Sequence, residues 1–130
     1  MKKTKCLFIL SVCAILLFTG LSFGQADLSG TWIGTAEVPD APELDKITMM
    51  LKKSNGSYSG TVTDSFGLAD ESEIKELEFS DNTLTFNFLI NEEGEYSTIY
   101  CTLTVDGDSM KGYWENEEGD TGELILAKQK

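Results

Sequence analysis

Carboxylates carry most of the chemistry available to this 130-residue sequence. They gather near hairpin turns: Glu92, Glu93 and Glu95 in "NEEGE", Asp106 and Asp108 in "DGDS", and Glu115, Glu117, Glu118 and Asp120 in "ENEEGD". Oxygen-rich loops suit Ca²⁺, which takes about six to eight oxygens, so an acidic calcium-dependent module is one reading. Neither "DGD" nor "ENEEGD" reproduces an established calcium-loop spacing, and no metal ligand is assigned. A glycosidase needs two carboxylates facing each other across a cleft, and nothing in the spacing sets up such a pair.

Residue type excludes much of the rest. The chain has no His, which removes Ser-His-Asp and Cys-His catalysis, imidazole metal sites and His-based pH switching. All ten basic residues are Lys, so no guanidinium is present to clamp a carboxylate or phosphate in bidentate fashion. Cys101 lies in phase with Ile99 and Leu103, the setting of a small core residue rather than a reactive thiol. The expectation is a protein without enzymatic activity and without a cofactor.

The first 26 residues read as a secretory signal peptide. Lys2, Lys3 and Lys5 precede an apolar run from Cys6 to Phe18, followed by small residues suited to cleavage after Gly24 or Ala26. The run is shorter than the roughly 20 residues a membrane span requires, so stable membrane insertion is not expected. Cys13 follows Val12 inside the apolar run and lacks the setting of a lipidated cysteine. The domain then spans 27–130, in a secreted or periplasmic protein. It keeps seven Lys against 22 acids, a formal charge of −15, which repels phosphate backbones and anionic headgroups and argues against nucleic acid as a partner. Cys101 is its single cysteine, so no intramolecular disulfide forms and the core alone must hold the fold.

Those residues must be positioned by strands. Thr, Ser, aromatic and aliphatic residues alternate at period two between Gly, Asn and Asp punctuation, the pattern of consecutive hairpins. Eight strands are predicted, near 30–38, 45–53, 57–64, 73–79, 83–91, 95–105, 109–115 and 121–128. Asn55-Gly56 and Asp106-Gly107 supply the positive-φ residues of two-residue turns, and both prolines, Pro39 and Pro42, fall outside every strand. In "GLADESEIKEL", Ile74 and Leu77 break the strand spacing, so a helical turn or a bulge is expected there. Alternate residues form one dry face, running from Trp32 through Met49, Phe86 and Leu103 to Trp114 and Leu126. Thr, Lys, Glu and Asn87 form the wet one. Closing eight antiparallel strands into an up-and-down barrel hides both sheet edges; a two-sheet β-sandwich is the alternative. Gly34, Gly60, Gly112 and Gly122 sit in phase with the dry face, where a missing side chain permits bending or close packing.

The stretch "LSGTWIG" at 28–34 resembles the first-strand signature of the lipocalin and avidin group of barrels, the calycins. "KITMMLK" and "NGSYSGTV" follow in an avidin-like rhythm. The chain departs from the group where lipocalins bring an Arg over the Trp, since Lys128 is the only basic residue near the end of the last strand. It also lacks the Asn and Ser that avidins place on early strands for biotin. The resemblance implies a small lipocalin-like barrel holding a small hydrophobic ligand, and the bulky members of the dry face nominate Trp32, Met49, Phe86, Phe88, Leu103 and Trp114 as its lining. Trp32 is expected to act first as a plug at the closed end. The alternative is a solid-core surface or interaction domain that uses outward Tyr96, Tyr100 and Tyr113.

Overall fold

The computed structural model describes residues 27–130; the expected signal peptide lies outside them. The described chain is all-β: β1 (Gly30–Ala36), β2 (Asp45–Ser54), β3 (Ser57–Asp64), β4 (Ser72–Glu73), β5 (Lys75–Ser80), β6 (Thr83–Glu92), β7 (Glu95–Asp106), β8 (Ser109–Asn116) and β9 (Thr121–Lys128). All pairings are antiparallel, and the strand order is β4-β3-β2-β1-β9-β8-β7-β6-β5. The sheet curls into a nearly closed up-and-down barrel.

There are nine strands rather than eight because the expected strand at 73–79 is divided at Ile74. Its first part, β4, pairs with β3 through Thr61–Glu73 and Val62–Ser72. Its second part, β5, pairs with β6, with a register shift between Lys75 and Glu78. Glu76 inside that shift has φ 52°, the left-handed conformation that marks the extra residue of a bulge. One continuous segment thus touches both edges of the sheet. The Ile74 N–H donates to Gly60 O at 2.9 Å, Ser72 Oγ to Leu89 O at 2.6 Å, and Asn91 N to Leu68 O at 2.8 Å.

Turn chemistry fixes the hairpins. Asn55 and Gly56 (φ 54° and 81°), Asp81 and Asn82 (52° and 63°), and Glu93 and Gly94 (51° and 92°) each place two positive-φ residues between paired strands, the type I′ signature. The β7–β8 turn differs from expectation. Asp106 stays in the ladder opposite Ser109, and Gly107 (φ 61°) alone adopts the left-handed conformation.

The interior holds the expected dry face almost completely, from Trp32, Met49 and Leu51 to Leu124 and Leu126, and adds Leu28, Ala69 and Ile74. Asn87 is a correction: placed on the wet face by alternation, it is buried. Glu76, itself exposed, stands over it at the bulge, and Asn87 Nδ2 donates to Glu76 Oε1 at 2.7 Å. A buried amide is tolerated only with such a partner. On the outside, Tyr96, Tyr100 and Tyr113 are exposed, and Tyr100 and Tyr113 face Glu115 and Thr102 across the β7–β8 ladder.

One end of the barrel is sealed by the segment preceding β1. Asp27 Oδ1 accepts from Ser29 N and Oγ at 3.0 and 2.7 Å, ordering a turn that drives Leu28 inside. The Leu28 N–H donates to Tyr58 Oη at 3.0 Å, and Trp32 Nε1 donates to Leu28 O at 2.9 Å. Trp32 has no exposed surface. Lys128 lies over its ring, Nζ 5.8 Å from the centroid, and donates to Asp27 O at 3.0 Å. Lys128 therefore covers the tryptophan from outside.

A buried tryptophan with its indole N–H satisfied is costly to remove. Trp32→Ala should destabilise the fold by about 3–5 kcal/mol in urea denaturation, whereas Lys128→Met should cost less than about 1 kcal/mol, because an exposed cation over a ring contributes little. A Trp32→Ala cost below about 1 kcal/mol would reject the plug.

Candidate ligand cavity

Above the Trp32 plug the barrel does not fill. A cavity of about 280 Å³ opens toward the end of the barrel where β1, β3, β6 and β8 finish. Its floor and walls are apolar: Met49, Val62, Phe86, Phe88, Leu124 and Leu126 contribute most of the character. The two phenylalanines stack with centroids 6.3 Å apart and planes at 27°. Their position on alternate residues of β6 follows from the period of two. Leu68 and Ala69, from the segment between β3 and β4, form the wall at the seam.

Four of the six residues nominated from sequence line this space: Met49, Phe86, Phe88 and Trp114. Trp32 and Leu103 do not; both are fully buried in the closed half, outside the cavity. Strand alternation tells which face a residue takes but not its height along the barrel, which depends on register and stagger. Trp114 stands at the wall with its Nε1 donating to Glu37 O at 2.8 Å. Gly122 keeps that contact possible, because a Cβ there would collide with the Glu37 carbonyl and lie 2.7 Å from Trp114 Nε1. Cys101 also lines the cavity, its thiol pushed up to about 12 by burial, which keeps it in the unreactive thiol form.

The wall also carries two acids that strand reading did not nominate. Asp45 opens β2 and Asp64 closes β3; Asp64 pairs with Ile47, the inward residue following Asp45 on its own face. Asp45 is only 4% exposed. Ser65 N, Ser65 Oγ and Phe66 N all donate to its Oδ1, at 3.0, 2.9 and 3.3 Å. Asp64 Oδ1 accepts from Ala69 N at 2.8 Å, while its Oδ2 is sealed from solvent with no donor. Burial, then a proton shared with Asp64, push the Asp45 carboxyl from 3.8 to about 6; the charge of Asp64 adds to the rise, and the Ser65 donors oppose it.

A signal for these acids existed. Asp45 is in phase with Ile47 and Met49, Asp64 with Val62, and Glu92 with Phe88 and Ile90. The inward rows of three strands each end in a carboxylate at the open end. Asp40 and Asp120 join them at the mouth. The acidic turns behave differently: Asn116 Oδ1 accepts from Glu118 N and Asp120 N at 3.0 and 2.9 Å, so that loop is organised by its own amide. Among the described residues no three His, Cys, Asp or Glu side chains are grouped closely enough to hold a metal.

A second hollow, about 330 Å³, lies on the seam between β3 and β5 and is lined by Asp27, Lys53, Tyr58, Leu77 and Phe79. Lys53 Nζ sits 5.6 Å over the Tyr58 ring. It is the more polar of the two and holds no buried carboxyl.

The Asp45–Asp64 pair makes stability depend on pH with a definite sign. The folded chain keeps the Asp45 proton up to about pH 6, while the unfolded chain releases it near 3.8. Stability from this group is therefore fully present below 3.8 and lost as pH rises to about 6. Asp64→Asn keeps an oxygen for the Ala69 N–H and gives Asp45 an amide donor. Its urea midpoint should exceed that of the parent, by more at about pH 7.5 than at about pH 5; an equal difference at both would break the link to the pair. In comparisons with family models, curated proteins and solved structures, the chain matches none.

Proposed function

We propose that this is a secreted or periplasmic, non-enzymatic, lipocalin-like protein that binds a small hydrophobic molecule inside its barrel. The observation that supports this is the cavity, walled largely by apolar side chains. A solid-core interaction domain has no use for such a space, since an unfilled void forfeits packing energy. Benzene occupies an engineered apolar cavity of about 150 Å³, so 280 Å³ suits a molecule of roughly ten or eleven non-hydrogen atoms. This lies at the small end of ligand pockets. The leader, with its Lys cluster and apolar run, supports export, and the absence of His and Arg supports binding over catalysis.

Trp114 lines the cavity and Trp32 does not, which provides an internal control. Delipidated protein should bind members of a lipophile panel saturably in native mass spectrometry, with a parallel change in tryptophan emission. Trp114→Phe should abolish most of that emission change while the mass-detected complex persists. Absence of saturable binding across the panel would refute the reading.

A further inference from the structure

The cavity is apolar in shape and anionic in charge. Every titratable side chain that lines it is an acid: Asp40, Asp45, Asp64, Glu92, Asp120 and the Cys101 thiol. Among the described residues no lysine lines it, and Lys46, beside Asp45, is exposed. Among the described residues, Asp45 and Asp64 are the acids on the inner part of the wall, and the two interact.

The hydrogen bonds of this pair are incomplete. The three protein donors that reach Asp45 converge on Oδ1, and Asp64 Oδ2 has none. A buried carboxylate oxygen without a donor is expensive and rare in folded proteins. The latch holding Ser65 and Ala69 does not require it, because each carboxyl performs that task with its other oxygen. Without a cation, the pair is relieved only while a proton sits between the carboxyls, and Asp45 keeps its proton up to about 6; an ammonium taking the place of that proton neutralises both.

We infer that the ligand carries a protonated amine on an apolar body, with its ammonium seated against Asp45 and Asp64 and its body against Phe86, Phe88 and Trp114. This rests on reading the cavity as a ligand site and specifies the ligand class. A neutral molecule of equal size gains no charge pairing from the two carboxyls and leaves Asp64 Oδ2 without a donor. A site with buried polar groups rejects a ligand that leaves them unpaired. A carboxylate ligand would add like charge. The acids at the mouth, Asp40, Glu92 and Asp120, raise the local concentration of cations at the entrance. As the ammonium enters, the proton shared by the two carboxyls leaves to buffer, so near pH 6 binding releases protons.

The test uses the residue 27–130 domain and three probes of matched size: 2-phenylethylamine, 2-phenylethanol and phenylacetate, titrated calorimetrically at low salt. The amine should bind about tenfold or more tightly than the alcohol, and phenylacetate more weakly than either. At about pH 6 the amine's observed enthalpy should vary with buffer ionisation enthalpy in the sense of proton release. Asp64→Asn should erase the preference for amine over alcohol while leaving alcohol binding within about threefold. Asp45→Asn, which retains an oxygen for Ser65, should do the same, and circular dichroism checks that both variants fold. Equal affinity for amine and alcohol, or an amine preference that survives both substitutions, overturns the inference. Binding of neutral lipophiles without the amine overturns it while leaving the cavity reading intact; binding of no probe and no lipophile removes both.

Discussion

The two edges of the sheet are joined through one residue, Ile74, and the cavity depends on that junction. β4 ends at Glu73 and β5 begins at Lys75, yet they are the first and last strands of the sheet order. The chain therefore closes its own barrel without needing a full ladder between β3 and β5. Ile74 is buried, and its N–H is held by Gly60, so the crossing is anchored in the core and in the β3 backbone at once. An open nine-stranded sheet would leave two unpaired edges for association with other chains. The cost of closure is the bulge at Glu76, with its left-handed backbone and the buried Asn87 that it must satisfy.

Closure also explains why the upper half is hollow. Between β3 and the crossing, residues 65–71 must travel across the seam without a strand partner. Asp45 and Asp64 hold that segment by its backbone N–H groups and by the Ser65 hydroxyl. Small and medium side chains, Ala69 and Leu68, then form the wall where a regular strand would have inserted larger ones. At the other end Leu28 and Trp32 fill the same cross-section completely. The barrel is thus asymmetric along its axis: a solid half that supplies stability, and a hollow half whose wall is an irregular segment pinned by carboxylates.

Strand positions were legible in the sequence to within about two residues, because period-two alternation and Asn-Gly or Asp-Asn turns act locally and the structure obeys both. The division at Ile74 was legible only as a break in spacing, since which edge each half joins is decided by contacts distant in the chain. The burial of Asn87 is illegible for the same reason: the bulge on β5, not the pattern of β6, covers it with Glu76. Trp32 and Leu103 share a face with Phe86 and Phe88, but register sets them lower. Asp45 and Asp64 are in phase with the core, but acids near turns ordinarily face water, so phase alone does not single them out.

Few polar side chains are buried among the described residues. Asp45 and Asn87 are the buried polar residues of the described chain, and Asp64 carries its buried oxygen without a partner; Asp45 and Asp64 stand together on the cavity wall. The latch on residues 65–69 accounts for one oxygen of each carboxyl. The remaining oxygen of Asp64 finds no donor among the described residues, a cost in free energy confined to the half of the barrel that is hollow.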